Sequence, residues 1–254
     1  MVFAGIQKLS LLDYPGTVAC TLFTLGCNFR CPWCHNAGLV LPEQFPEGSL
    51  DEEEVLSFLK KRQGVLDGVA ITGGEPLLHP GLKDFLPRVK ELGYRVKLDT
   101  NGSFPERLKE LVELGLVDRV AMDIKNGPSR YGITVGLPGK RAASAESASA
   151  RDDGSQEFPE AVFAAMERSK EYLLTEPVDY EFRTTVVKEF HTEESLSEAA
   201  AWISGAKVWY LQQFQNSGAL LSGEGFSAYS EEEMQHLLAM LQKKLPAVKL
   251  RGVS

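Results

Sequence analysis

Three cysteines lie within eight residues of one another, and their spacing constrains this chain more than any other feature. Cys27, Cys31 and Cys34 form a C-x3-C-x2-C pattern within residues 24–36, T-L-G-C-N-F-R-C-P-W-C-H-N. Thiolates are soft ligands, which favour iron–sulfur clusters, zinc or copper(I). Closed zinc sites and electron-carrying clusters normally take four protein ligands, so three thiolates leave one metal position open. The sequence therefore predicts a metal or cluster site that can do chemistry.

Other interpretations of these residues remain open at this point. Residues 31–35 read C-x-x-C-H, the haem c attachment pattern, but residues 1–10 lack the signal peptide that export requires. C-P-W-C resembles a thioredoxin-type redox pair, which leaves Cys27 unexplained. A structural zinc site would need Cys20 or His35 as its fourth ligand. Because Cys20 lies in V-A-C-T-L-F-T-L, which reads as a buried strand, an inert core thiol is the favoured interpretation.

Charge and hydropathy exclude two classes of partner. The net charge of −8 argues against nucleic acid, because phosphate binding needs a basic surface. No apolar run approaches the length that spans a bilayer, so we expect no membrane association. Clustered cysteines without a secretion signal favour metal ligation over disulfides, and with it a cytoplasmic location.

Strand and helix patterns alternate along the chain. The strands are predicted at 17–25, 68–72, 94–99, 118–124, 178–187 and 207–214. The helices are predicted after Ser49 and at 82–92, 105–114, 159–174, 193–203 and 230–241. Such alternation implies parallel strands with right-handed crossovers. We therefore expect one α/β domain over residues 1–254, an open partial TIM-type barrel of about six β/α units, with residues 17–40 supplying the first strand and the cysteine loop.

One segment interrupts this alternation. Residues 141–157, R-A-A-S-A-E-S-A-S-A-R-D-D-G-S-Q-E, contain no large apolar side chain. Such a segment cannot bury enough surface to offset its ordering entropy. We predict a mobile surface loop there.

Unusual residues follow the predicted strands, and sites in parallel α/β folds lie at the carboxyl ends of strands. The second strand ends in Gly73, Gly74 and Glu75. Paired glycines let a backbone approach a ligand closely, and the carboxylate can take an ammonium group. A simple strand-to-helix turn is the alternative. The third strand ends in Asp99 and Thr100, where an Asx-type turn with a helix cap competes with a ligand or cation contact.

The later strands add charged and amide side chains. The fourth strand ends with Asp123 and Lys125, and the sixth is followed by Gln215 within a polar cluster. Arg183 lies inside the otherwise apolar fifth strand, and an arginine buried there needs an anion. That anion is either a ligand carboxylate or an internal partner, Asp99 or Asp123.

Together these motifs resemble the radical S-adenosylmethionine (SAM) superfamily. The combination of D-Y-P-G, C-N-F-R-C-P-W-C-H-N, G-G-E-P, L-D-T-N-G and D-I-K is most similar to the glycyl-radical-enzyme activases. Among these, the activating proteins of anaerobic ribonucleoside-triphosphate reductase resemble it most, with pyruvate formate-lyase activating enzyme as a near relative. The resemblance is dense in the first half of the chain and loose in the second.

The resemblance implies a cofactor pair and a protein substrate. Cys27, Cys31 and Cys34 would hold a [4Fe–4S] cluster whose fourth iron is chelated by the amino and carboxylate groups of SAM. An electron from the cluster would cleave SAM to methionine and a 5′-deoxyadenosyl radical, which removes hydrogen from a glycine of a partner glycyl-radical enzyme. A flavodoxin- or ferredoxin-type protein would supply the electron.

The resemblance also implies residues that contact SAM, with Trp33 against the adenine and Glu75 on the amino group. The implied set is Trp33, His35, Gly73, Gly74, Glu75, Asp99, Asp123, Lys125, Arg183 and Gln215. Asp99, Thr100 and Asp123 correspond to positions that can hold a monovalent cation beside SAM. Formate-lyase activases carry a histidine at the position of Gln215, so this chain departs from them there.

Further functions stay open on sequence alone. The chain could activate a pyruvate formate-lyase-type partner, or it could be a radical SAM enzyme acting on a small molecule or peptide. A non-enzymatic zinc- or cluster-bearing binding module is the third class. These three classes of function can be distinguished by measuring whether the chain turns over SAM and which partner or substrate stimulates that turnover.

Overall fold

The computed structural model describes residues 1–41, 48–137, 160–216, 220–222 and 225–253. The strands in these ranges are β1 (Val2–Ser10), β2 (Ala19–Thr24), β3 (Leu50–Asp51), β4 (Gly68–Gly73), β5 (Arg95–Thr100), β6 (Arg119–Asp123), β7 (Asp179–Val186), β8 (Trp209–Gln213) and β9 (Val248–Arg251). The helices are α1 (Ala37–Val40), α2 (Glu52–Lys61), α3 (Leu82–Glu91), α4 (Pro105–Glu113), α5 (Tyr131–Thr134), α6 (Glu160–Leu174), α7 (Glu193–Trp202) and α8 (Glu231–Gln242). The loop predicted at 141–157 lies outside the described residues.

All the described strands belong to one sheet with the order β3-β1-β2-β4-β5-β6-β7-β8-β9. From β2 onward, each neighbouring pair in that order is parallel. Strands β3 and β9 stand at opposite ends of the order, so the described part of the sheet does not close on itself. The predicted α/β class and the open parallel barrel are confirmed.

Three strands of the described sheet were not predicted, and one of them, β3, is only two residues long. Strand β1 pairs antiparallel to β2, and only Phe3 and Ser10 along it are buried, so its hydrophobic pattern is weak. Strand β9 is four residues long and pairs parallel to β8, which makes seven parallel strands within the described residues instead of six. A short or half-exposed edge strand lacks the two-sided apolar run that marks a central one.

The six predicted strands and the long helices agree with the structure to within a few residues at each end. Helices α2, α7 and α8 each begin with a capping box, formed by Asp51 with Glu54, Thr192 with Ser195, and Ser230 with Glu233. Each box satisfies backbone N–H groups that the first turn leaves free. None of the described helices is long and apolar enough to cross a membrane.

The strand order determines where the predicted site residues meet. In register, Thr24 of β2 lies beside Gly73 of β4, and Asp123 of β6 lies beside Arg183 of β7. Cys20, by contrast, is fully buried within β2 opposite Val69, and burial raises the pKa of its thiol to about 12. The carboxyl ends of β2, β4, β5, β6 and β7 therefore share one edge of the sheet.

Candidate active site

A cavity opens at this edge of the sheet, where sites in parallel α/β folds lie. It is lined by Cys27, Phe29, Cys31, Trp33, Cys34, His35, Asn36, Val40, Thr72, Gly73, Gly74, Glu75, Asp99, Thr100, Asn101, Asp123 and Lys125. The lining includes every predicted site residue except Arg183 and Gln215. Gln215 is exposed after β8, and Arg183 lies behind the lining, against Asp99 and Asp123.

The cysteine loop follows β2, and hydrogen bonds to backbone carbonyls hold its shape. The N–H of Gly26 donates to the carbonyl of Leu39 at 2.6 Å, which closes the loop at its base. Arg30 Nη1 donates to the carbonyl of Cys27 at 2.5 Å, and the N–H of Cys34 donates to the carbonyl of Cys31 at 3.0 Å. These contacts direct all three thiols to the same cavity.

Burial raises the pKa of Cys27 to about 11 and that of Cys31 to about 12. For Cys27 the nearby Glu75 adds to the effect of burial, whereas for Cys31 the charge of Lys125 opposes it. As free thiols both are therefore protonated at neutral pH, and a soft metal would bind by displacing their protons. This donor set fits an iron–sulfur cluster.

Among the described residues, no group of three or more His, Cys, Asp or Glu side chains is arranged to hold a single metal ion. A single zinc ion needs its ligands around one point, whereas a cubane cluster is bound at separate corners.

The paired glycines bring β4 into direct contact with the cysteine loop. A Cβ on Gly74 would lie 1.9 Å from the carbonyl oxygen of Gly26, and one on Gly73 would lie 2.3 Å from the backbone nitrogen of Thr24. Gly73 also has φ of +115°, which favours glycine. The sequence predicted that the paired glycines let the backbone approach a ligand closely. In the structure, the two glycines approach the backbone of the cysteine loop and of the end of β2.

Glu75 is buried at the floor of the cavity and accepts three hydrogen bonds. Leu77 N–H and the Thr100 hydroxyl donate to Oε1 at 3.0 and 2.7 Å, and Asn101 N–H donates to Oε2 at 2.7 Å. Burial raises the pKa of Glu75 to about 7, against the lowering effect of these donors. A carboxylate offers about four lone-pair sites, so Oε2 keeps one acceptor position.

Five charged side chains form one partly buried network beside Glu75. Arg183 Nη1 lies 2.9 Å from Asp99 Oδ2, and Arg183 Nε and Nη2 each lie 2.9 Å from Asp123 Oδ1. Lys97 Nζ pairs with Asp99 Oδ1, and Lys125 Nζ lies 2.9 Å from Asp123 Oδ2. Burial raises the pKa of Asp123, but the charges of Arg183 and Lys125 outweigh it and bring the pKa to about 2. Of the two anions considered for Arg183, the internal carboxylates are the ones it contacts here.

Trp33 and His35 flank the cavity on the cysteine loop. Lys125 Nζ lies 5.4 Å from the centre of the Trp33 ring. The Trp33 indole N–H is buried and has no hydrogen-bond partner among the described residues, so a ligand in the cavity could accept from it. His35 stacks on Phe214 with ring centres 5.2 Å apart, and burial lowers its pKa.

Asn101, His191 and Lys97 lie at or behind the site and were not among the predicted contacts. The amide of Asn101 donates to Asn28 Oδ1 at 2.9 Å and lies 4.0 Å from Cys27 Sγ. His191 is fully buried, with Nε2 2.7 Å from the carbonyl of Lys125. Lys97 could have been found by the argument used for Arg183, because it too is a cation inside a buried strand. Asn101 stands within the L-D-T-N-G motif, which is the signal that could have found it, whereas His191 carries no comparable signal.

Comparisons with known proteins agree on one family. The model described as the Radical SAM superfamily matches residues 21–195. A Methanocaldococcus jannaschii protein, provisionally named a glycyl-radical enzyme activating enzyme, is 30% identical over 258 residues, covering 99% of this chain and 96% of that protein. The pyruvate formate-lyase-activating enzyme of Staphylococcus aureus is 33% identical over 133 residues, covering 48% of this chain and 52% of its own. The chain thus aligns with about half of that second relative.

Solved structures support the fold. Streptococcus suis SuiB, crystallised with its precursor peptide SuiA, superposes with a TM-score of 0.63 over 91% of this chain and 48% of SuiB. Its sequence identity is 12%, so the likeness concerns the fold alone.

Proposed function

The chain belongs to the radical SAM superfamily, and from that membership we propose that it is an activating enzyme that generates a glycyl radical on a partner protein. The observation that carries the proposal is the convergence of Cys27, Cys31 and Cys34 with Glu75 and Lys125 on one cavity. The relative named as such an activating enzyme supports it, because the alignment covers nearly the whole of both chains.

Membership of the superfamily implies a [4Fe–4S] cluster and SAM, and we propose that the three cysteines hold the cluster. Bound and reduced, such a cluster would supply the one electron that cleaves SAM to methionine and a 5′-deoxyadenosyl radical, and transfer of a hydrogen atom from the partner's glycine would then give 5′-deoxyadenosine and a glycyl radical. The three thiols lose their protons on ligation. The protein then contributes binding, orientation and exclusion of water.

The cavity residues have distinct proposed tasks. Glu75, fixed by its three donors, presents the free acceptor position of Oε2 to the amino group of SAM. Trp33 offers its ring and its unpartnered indole N–H to the adenosyl part. Lys125 is held over that ring by Asp123, so it can donate to ligand oxygens only within a narrow range of positions. His35, Gly73 and Gly74 complete the wall.

The identity of the partner enzyme is proposed from the sequence resemblance alone. Anaerobic ribonucleoside-triphosphate reductase is the first candidate, and a pyruvate formate-lyase-type enzyme is the second, since an activating enzyme of that type aligns with half of the chain. A flavodoxin- or ferredoxin-type protein is the proposed electron donor. The proposed compartment is the cytoplasm, where thiols stay reduced.

The test uses anaerobic protein loaded with iron and sulfide. It is reduced with dithionite, SAM is added, and 5′-deoxyadenosine is measured, with Cys34→Ala as the control. Each candidate reductase or lyase is then added, and its glycyl radical is sought by electron paramagnetic resonance. We expect deoxyadenosine from the native protein only, and a glycyl signal with the true partner.

Two outcomes would contradict the proposal. A loaded, reducible cluster that leaves SAM intact would point to a carrier or structural role. Cleavage of SAM driven by a small molecule or peptide, with no glycyl radical on either candidate, would place the chain among the other radical SAM enzymes.

A further inference from the structure

We propose that the side chains of Lys97, Arg183 and Lys125 supply the positive charge at the place where the resemblance allows a monovalent ion. Lys97 is the positioning residue that makes an external ion unnecessary. The inference rests on the proposed function, because it concerns how the SAM site is built. It is drawn from the partners of the three candidate ion ligands.

The first candidate ligand, Asp99, has a protein cation on each oxygen. Lys97 Nζ pairs with Oδ1, and Arg183 Nη1 lies 2.9 Å from Oδ2. Lys97 is 1% exposed and Asp99 and Arg183 are each 13% exposed, so little water reaches these contacts. A pair this buried is screened far less than a surface pair.

The second candidate, Asp123, is also shared between two cations. Arg183 contacts Oδ1 through Nε and Nη2, and Lys125 Nζ lies 2.9 Å from Oδ2. Arg183 therefore bridges the two carboxylates that would otherwise flank an ion. An alkali ion between them would have to displace a guanidinium held by three contacts of 2.9 Å.

The third candidate, Thr100, is committed to neighbouring groups. Its hydroxyl donates to Glu75 Oε1 at 2.7 Å, and its oxygen accepts the N–H of Gly102 at 3.1 Å. To bind an ion as well, the oxygen would have to use its last lone pair.

The sum of the charges in this network also argues against a bound alkali ion. Lys97, Arg183 and Lys125 oppose Asp99 and Asp123, which leaves one net positive charge before any ion binds. With Glu75 ionised the balance is zero, so no negative charge remains for an added alkali ion. Hard cations need oxygen ligands with uncompensated charge.

Lys97 is the residue that creates this balance. It lies on β5 two positions before Asp99, on the same face of the strand, so its ammonium reaches Asp99 from inside the sheet. Without it, Asp99 Oδ1 would lose its cation and the network would lose its net positive charge. Lys97 fixes Asp99, and Asp99 helps to fix Arg183.

The direct test needs no variant. SAM binding to the cluster-loaded protein is measured by calorimetry in potassium, sodium and tetramethylammonium chloride at one ionic strength. We expect the three dissociation constants to agree within about twofold. Saturable tightening by potassium or sodium, absent with tetramethylammonium, would overturn the inference.

A variant tests the role of Lys97 itself. In Lys97→Met the stem volume is kept and the ammonium is removed, so SAM binding in tetramethylammonium should weaken by about tenfold, the usual effect of losing one charged hydrogen bond. Potassium should restore most of that loss by entering beside Asp99. Lys83→Met is the matched control, because it removes a lysine paired with Glu110 on the surface. Lys97→Met binding that equals the native protein in every salt would refute the assignment.

The two proposals fail differently. If SAM binds in no salt, the proposed function is wrong. If SAM binds but requires an alkali ion, only the present inference is wrong. If Lys97→Met does not fold, as judged by circular dichroism, the ion series on the native protein still decides.

Discussion

The backbone N–H of Asn101 donates a 2.7 Å hydrogen bond to Oε2 of Glu75 and so joins the ends of β5 and β4 at the floor of the cavity. The side chain of the same residue donates to Asn28 Oδ1 on the cysteine loop at 2.9 Å. Ser103 closes the cluster, because it accepts from Asn28 and donates to Asn101 Oδ1. One residue therefore links the proposed SAM-binding carboxylate to the proposed cluster loop.

Replacing Asn101 with alanine should change the cluster without preventing its assembly. The amide lies 4.0 Å from Cys27 Sγ, and hydrogen bonds to sulfur stabilise the reduced state of a cluster. We expect a more negative reduction potential in Asn101→Ala, measured by redox titration with paramagnetic resonance detection. Asn126→Ala is the control, because that amide is equally buried but bonds Thr134 and Phe190. An equal shift in both variants would mean a general loss of packing.

Loss of a cysteine of the triad should abolish cluster binding and SAM cleavage. Cys27→Ala, Cys31→Ala and Cys34→Ala each remove one of the three proposed ligands, whereas Cys20 is fully buried in β2. Cys20→Ala should keep its iron and its activity, with stability lowered only by the small cavity. Iron, sulfide and 5′-deoxyadenosine are measured for each. Equal loss from Cys20→Ala would make a four-cysteine site credible.

Gly74→Ala should displace the cysteine loop. The new Cβ would lie 1.9 Å from the carbonyl oxygen of Gly26, which is backbone and cannot swing aside. We expect iron retention and deoxyadenosine yield to fall by more than tenfold. Gly5→Ala is the matched control, because no atom lies within 4 Å of a Cβ there. A fully active Gly74→Ala protein would show that the loop tolerates movement.

SAM affinity should rise with pH through neutrality. Burial raises the pKa of Glu75 from 4.5 to about 7, so the ionised form that accepts a hydrogen bond from the amino group of SAM becomes dominant only above about pH 7. The same shift means that Glu75 lowers folding stability as pH rises from about 4.5 to 7, because the folded state holds the proton more tightly. Calorimetry from pH 6 to 8 should show the rise in the native protein and a flat profile in Glu75→Gln. A rise of equal size in both proteins would mean that a group other than Glu75 causes the pH dependence of SAM affinity.

Glu181 should matter for stability and not for the site. It is fully buried, and Arg251 Nη1 and Nη2 and Arg119 Nη2 bond its carboxylate at 2.7, 2.9 and 2.7 Å. Burial raises its pKa, but the hydrogen bonds and charge of Arg251, with Arg183 and Arg119, outweigh this and bring it to about 2. Its stabilisation is therefore present above about pH 4.5 and lost as pH falls towards 2.

Glu181→Gln should lower the free energy of unfolding in urea by about 1.5–3 kcal/mol at pH 7, because a fully buried carboxylate loses its charge-assisted hydrogen bonds to two half-buried arginines, of which Arg119 keeps Asp179. Glu110→Gln removes an exposed partner of Lys83 and should cost less than about 1 kcal/mol. If both variants lose the same free energy, the buried ion pairs are not what holds β6, β7 and β9 together.

Most of the central sheet could be predicted because its strands are apolar on both faces and are separated by capped amphipathic helices. Strands β1 and β9 were missed because their side chains are half exposed and their pairing depends on β2 and β8, and β3 was missed because two residues carry no pattern. Gln215 was expected at the cavity because it follows a predicted strand. It lies outside the lining because it falls two residues beyond the end of β8 and is exposed there.

The sequence by itself determined the cysteine triad, the glycine pair and the positions of the carboxylates, because each depends on spacing along a few consecutive residues. Only the tertiary structure decided which groups neutralise one another. Arg183 meets Asp99 across 84 positions and Asp123 across 60, and Asn101 meets Asn28 across 73. Such pairs depend on the order of strands in the sheet, and local patterns in the chain do not encode that order.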